Sequence, residues 1–110
     1  PLAVDGDLEG LELRVVLPEG YLGADGFTQQ VLVSSERGDT ERFEAAGLGE
    51  PFLVHLPAGE RLNLTLIIGY CAEEAKDICY VDRSELGIVR QSDHSGAQDI
   101  IIRYIPGAHL

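Results

Sequence analysis

Arg61-Leu62-Asn63-Leu64-Thr65-Leu66-Ile67-Ile68-Gly69-Tyr70-Cys71 is the stretch that decides the fold class. Leu62, Leu64, Leu66 and Ile68 share one parity, while Arg61, Asn63 and Thr65 share the other. Successive side chains of a strand point to opposite faces, so this alternation describes a strand with one face in a core and one in water. A helix needs its apolar residues three to four positions apart, and no window of a dozen residues in the chain carries that stripe.

The same period extends in both directions. Upstream, Leu11, Leu13, Val15 and Leu17 alternate with Glu12, Arg14 and Val16 until Pro18-Glu19-Gly20 stops the run. Gln30 to Ser34 forms a second short strand, closed by the polar stretch Ser35 to Thr40, and Glu41 to Ala45 a third with Phe43 as its inward anchor. Phe52, Val54 and Leu56 alternate with Leu53 and His55 before Pro57-Ala58-Gly59 turns the chain. Downstream, Ala72 to Lys76 reads as a loop or a single turn. Cys79 to Asp82 and Gly87 to Arg90 are extended, with a bend at Ser84-Glu85. Gln91 to Ala97 is a polar loop, and Asp99 to Ile105 is the last strand, ended by Pro106.

About seven short strands punctuated by Gly and Pro predict an all-β fold, an immunoglobulin-like two-sheet antiparallel β-sandwich. Leu13, Val15, Val33, Leu64, Leu66 and Ile102 are the expected core. A chain of 110 residues, 45% hydrophobic, suits one domain. Residues 1–10, with Asp5-Gly6-Asp7, read as a linker, 11–106 as the sandwich and 107–110 as a tail. A start at Pro1 and the absence of methionine read as a piece of a longer protein, with further domains or a targeting segment expected upstream.

Eight Lys and Arg against nineteen Asp and Glu give a formal charge of −11. That field repels phosphate backbones and anionic lipid surfaces, so nucleic acid is not an expected partner. No run approaches the ~20 apolar residues of a membrane helix, so membrane insertion by this segment is not expected either.

Cys71 ends the strongest strand and Cys79 begins the next, each beside a tyrosine, Tyr70 and Tyr80. Placed at the mouth of one hairpin they face each other, at the roughly 4.5 to 5.5 Å between opposed Cα atoms that suits a disulfide. So short a loop restricts the unfolded chain by only about 2.5 kcal/mol, leaving most of the stability to the core. The spacing is too wide for a thioredoxin-type Cys-x-x-Cys pair, and two cysteines alone do not make a zinc site. The intervening loop holds Glu73, Glu74 and Asp77 against Lys76 alone, a field that disfavours a thiolate and slows thiol–disulfide exchange.

Leu64-Thr65-Leu66-Ile67-Ile68-Gly69-Tyr70-Cys71, a short polar loop and then Cys79-Tyr80 resemble the N-terminal periplasmic domain of the transmembrane thiol:disulfide interchange reductases. That likeness implies an immunoglobulin-like domain whose two cysteines pass electrons between membrane reductase and clients. Leu17-Pro18-Glu19-Gly20-Tyr21, with the same Cys…Cys hairpin, is similar to a second group. These are the β-sandwich domains that close proteins built from a thioredoxin-like domain and an NHL-repeat propeller. Tyr80 is followed by Val81-Asp82, where the interchange reductases typically carry Tyr-Pro-Pro, and the loop between the cysteines is longer; both features favour the propeller-linked group. The resemblance runs from about Leu11 to Tyr104. It implies a non-catalytic module that supports or docks a thioredoxin-like domain, with other domains of the parent protein as its partners and no cofactor. The alternative is a thiol–disulfide carrier using Cys71 and Cys79 as its redox pair.

Other motifs carry less. Asp5-Gly6-Asp7-Leu8-Glu9-Gly10 opens like a calcium loop, but its twelfth position is Val16 and a strand follows, so no metal site is expected. Asp93-His94-Ser95 has the letters of a triad without the geometry, since neighbours in sequence cannot adopt it. His55, His94 and His109 are scattered singly, and Asn63-Leu64-Thr65, an N-glycosylation pattern, falls within a strand. An unrelated adhesion or binding module rests on the fold alone. A structural disulfide implies a periplasmic or other extracytoplasmic setting, while in a reducing cytosol the pair would be two thiols. Mass spectrometry without reductant is expected to show the chain two hydrogens lighter, with the Cys71 and Cys79 peptides linked; separate, alkylatable thiols under oxidising conditions would refute the hairpin register.

Overall fold

The computed structural model describes residues 1–75, 77–91 and 100–106. It is all-β, with nine strands: β1 (Leu2–Asp5), β2 (Gly10–Val15), β3 (Tyr21–Gly23), β4 (Gln29–Ser35), β5 (Thr40–Ala45), β6 (Phe52–His55), β7 (Arg61–Ala72), β8 (Cys79–Gln91) and β9 (Ile101–Tyr104). A six-stranded sheet in the order β1-β8-β7-β4-β5, with β3 also on β7, packs on a three-stranded sheet in the order β6-β2-β9. This is the expected two-sheet sandwich, with two strands more than the sequence suggested.

The leucine alternation of β7 does what its period predicts. Leu62, Leu64, Leu66, Ile68 and Tyr70 are all buried, while Asn63, Thr65 and Ile67 on the other face stay half-exposed. Leu11 and Leu13 of β2, Val31 and Val33 of β4, and Phe52 and Val54 of β6 bury the facing sets. Of the expected core, Leu13, Val33, Leu64 and Leu66 are fully inside, whereas Val15 and Ile102 lie at its margin. Phe43 anchors β5 from the margin too.

Four expectations change. Residues 1–10 are not a bare linker: β1 pairs in parallel with the end of β8, Leu2 opposite Ile88, and Val4 and Leu8 are buried. Leu2, Ala3 and Val4 make a run too short to show a period, so only the partner strand reveals the element. The sandwich is not wholly antiparallel, because β2 also runs parallel to β9. The bend expected at Ser84-Glu85 is absent, since β8 follows β7 through an unbroken register from Arg61↔Val89 to Cys71↔Cys79. The last strand is Ile101–Tyr104, shorter than Asp99 to Ile105. Most of the loop expected at Gln91 to Ala97, the Asp93-His94-Ser95 motif and the 107–110 tail lie outside the described residues.

One cation staples the far end of the sandwich. The Arg90 guanidinium donates to the carbonyl oxygens of Leu8 at 2.7 Å, Pro57 at 2.6 Å and Gly59 at 2.8 Å. It therefore ties the β1–β2 turn to the β6–β7 turn across the two sheets. The Glu36 carboxylate does similar work beside it, accepting from the backbone N–H groups of Glu60 at 2.7 Å and Arg61 at 3.2 Å. Those two bonds hold its pKa below the ordinary carboxylate value. Leu66 is 2% exposed at the centre of β7, so Leu66→Ala is expected to cost about 2 to 5 kcal/mol in denaturant unfolding; a loss well under 1 kcal/mol would place the core elsewhere.

Candidate functional site: the hairpin disulfide

The sulfur pair sits where three strands meet. β7 pairs with β8 on one side and with the short β3 on the other, so Leu22, Cys71 and Cys79 form one row across the sheet. Cys71 and Cys79 are disulfide-bonded, with Cα atoms 4.0 Å apart. Opposed residues of an antiparallel sheet share a face, and Ile67, Val81 and Leu22 mark this one as the outer face. The bond is therefore on the surface of the sandwich, with Cys71 half-buried and Cys79 exposed. Val81 is 62% exposed and Leu22 50%, giving the disulfide an apolar margin. A cleft of about 210 Å³ beside it is lined by Leu22, Gly23, Ala24, Asp25 and both cysteines.

Directly beneath, on the core face, lies a tyrosine cluster. The rings of Tyr70 and Tyr80 stand 5.5 Å apart, and Tyr21 meets Tyr70 edge-on at 5.6 Å. The sequence shows Tyr70 and Tyr80 only as neighbours of the cysteines; the register makes them direct partners, and Tyr21 completes the group. Burial pushes the Tyr70 phenol above its ordinary pKa, and Asp82, Tyr21 and Tyr80 add to the shift. It stays neutral at physiological pH and serves as packing.

What positions this end of β7 is a change of partner. β4 accompanies β7 as far as Gln30↔Ile67, and β3 takes over at Gly23↔Tyr70. Gly69 falls in the gap, and the buried Gln29 side chain fills it. Its Nε2 donates to the Gly69 carbonyl and its Oε1 accepts from the Gly69 N–H, both at 2.8 Å. A side-chain amide thus stands in for one residue of a strand. Ala24 N also donates to the Gly69 carbonyl at 3.0 Å, beginning the β3 pairing. On the outer face the Phe27 ring lies flat against Gly69, and a Cβ there would come within 2.6 Å of it. Gln29 is the one buried polar residue among those described; in the sequence the only clue was a glycine interrupting a run of aliphatic residues.

Glu73, Glu74 and Asp77 are exposed in the loop that joins the cysteines, and Asp25 enters the cleft, so carboxylates surround the pair among the described residues. The other candidates are not brought to it. His55 bonds Glu41 at 2.8 Å on the opposite side of the sandwich, and Asp5 accepts from the Asp7 N–H in a local turn. A wider groove of about 860 Å³ lies at the far end of the hairpin, around Arg90, whose guanidinium is already committed to carbonyls. Among the described residues, no group of three or more His, Cys, Asp or Glu is placed to hold a metal. No described helix is long and apolar enough to cross a membrane. Comparison with protein-family models finds no match, and comparison with curated proteins finds none either.

Gln29→Leu leaves the Gly69 N–H buried and unpaired, and is expected to destabilise by about 1–3 kcal/mol. Gly69→Ala is expected to cost about 1–3 kcal/mol through the Phe27 contact. The double variant Gly69→Ala/Phe27→Leu should recover part of that loss; equal losses with and without the Phe27 change would show that the ring is not the cause.

Proposed function

We propose that this domain is an accessory β-sandwich of a larger thioredoxin-like protein, of the kind that also carries an NHL-repeat propeller, and that Cys71–Cys79 is its structural staple. The observation that carries this reading is the position of the bond. It is the rung next to the connecting loop in an eleven-pair ladder and closes that loop at its base, above the tyrosine cluster. The charge of the connecting loop supports it as well. Carboxylates beside a sulfur raise the cost of its thiolate, and the thiolate is the species that exchanges. The sandwich would then serve by supporting or docking a redox domain, with the chemistry performed elsewhere in the parent. A persistent bond of this type belongs to an oxidising compartment.

A second reading has one observation in its favour. Cys79 is exposed beside a cleft, which is the access a thiol–disulfide carrier needs. The equilibrium reduction potential separates the two. A staple is expected below about −300 mV, whereas a carrier would fall between about −180 and −270 mV and exchange rapidly with a thioredoxin-like partner. Reduced protein is expected to react slowly with a disulfide reagent at neutral pH. Replacing Glu73 and Glu74 by glutamine should speed that reaction, with added salt narrowing the difference. Rapid exchange by the unaltered protein would overturn the structural reading.

A further inference from the structure

Strand β5 closes one side of the six-stranded sheet, and its outer edge is open. The direction of its backbone groups follows from the neighbouring ladders. Ser35 N donates to Asp39 O across the β4–β5 turn at 2.9 Å, while Glu36 N donates to Arg61 O at 3.2 Å on the other side of β4. Odd-numbered residues of β4 thus turn their N–H and C=O groups to β5, and even-numbered ones to β7. With Val33 opposite Glu41 and Val31 opposite Phe43, odd-numbered residues of β5 return those bonds. Thr40, Arg42 and Glu44 are left pointing away from β4, with no strand hydrogen-bonded to them among the described residues. Their side chains are exposed on the outer face, and neither Arg42 nor Glu44 has an ion-pair partner among the described residues. Phe43 stands between them on the inner face, half-buried. A groove of about 620 Å³ runs beside this edge, lined by Arg42, Phe43, Glu44, Pro51 and Phe52.

An edge in this state is a template for another strand, and its sequence is complementary to itself. We infer that two copies of the chain join β5 to β5, antiparallel, about a two-fold axis at Phe43. In that register Arg42 faces Glu44 of the second copy, twice, in the hydrogen-bonded positions that both residues already present outward. Phe43 faces its own counterpart in the non-hydrogen-bonded position, where side chains approach most closely. Glu41, held aside by His55, meets the small Ala45 of the second copy. The two adjacent symmetric registers are worse for a plain reason. One sets Arg42 against Arg42 and the other Glu44 against Glu44, and like charges directly opposed are destabilising. Charges on an edge strand ordinarily repel strangers; here they select a second copy in one register. The interface is isologous and closed, so it yields a dimer and no fibre. Two bodies of charge −11 repel each other, so association is weak and is best measured at physiological ionic strength, where the screening length is about 8 Å.

Sedimentation velocity on the full chain, from micromolar to millimolar concentration, is expected to show a reversible monomer–dimer equilibrium. Arg42→Glu and Glu44→Arg each convert two attractive pairs into two repulsive ones and should weaken it by about tenfold or more. The doubly exchanged variant, Arg42→Glu/Glu44→Arg, should restore the dimer. An equimolar mixture of the two single variants should form the heterodimer that neither forms alone. Both positions are exposed, and unchanged circular dichroism and melting would confirm that each variant folds. A wild-type chain that stays monomeric throughout, or a dimer indifferent to these exchanges, would overturn the proposal. Neither outcome bears on the role of the disulfide, which lies on β7 and β8.

Discussion

Everything in the larger sheet is arranged around β7, and β7 depends on how its backbone is satisfied where its neighbour changes. A strand of twelve residues in the middle of a sheet has N–H and C=O groups to place on both sides. β8 serves one side for almost the whole length, and β4 serves most of the other. Between the end of β4 and the start of β3, the buried Gly69 N–H would be left without a backbone partner. The Gln29 amide supplies both a donor and an acceptor there, which lets β7 run on straight to the disulfide. Glycine at that position also admits the Phe27 ring against the bare backbone, closing the outer face over the gap.

The site therefore inherits its geometry from the sheet. Register alone brings Cys71 and Cys79 opposite each other, and the same register puts Tyr70 against Tyr80 on the reverse face. The sulfurs look out at solvent and the rings look in at the core. Whether such a bond exchanges depends on access and on thiolate stability, and the two point in opposite directions: the exposed Cys79 favours attack, and the carboxylates of Glu73, Glu74 and Asp77 oppose it. We give the charge the greater weight, because it disfavours the thiolate of the reduced pair both as nucleophile and as the leaving group when the bond is attacked.

The two ends of the hairpin are held by different means. At one end a covalent bond closes the ladder; at the other the Arg90 guanidinium gathers carbonyls from two turns that each cross from one sheet to the other. Arginine suits this work because its planar fork offers five donors and keeps its charge at any physiological pH. The open side of the sandwich has neither device. Its edge strand β5 relies on Arg42 and Glu44, whose order along the strand makes it selective about what it will accept.

Period-two alternation determined the strand character of β2, β4, β6 and β7 and which of their side chains are buried, because alternation is imposed by the backbone and needs no partner to be read. It also determined that Cys71 and Cys79 meet, since a short loop between two strands leaves them little choice. Tertiary structure alone decided what depends on distant segments. Strand β1 carries too little pattern to declare itself and exists because β8 offers it an edge. β3 is three residues long and is defined only by its pairing with β7. Gln29 and Gly69 are forty positions apart, and nothing local to either says that one will complete the backbone of the other. Tyr21 joins Tyr70 and Tyr80 for the same reason: its place is set by a ladder formed across the sheet, and the sequence around it records only a turn.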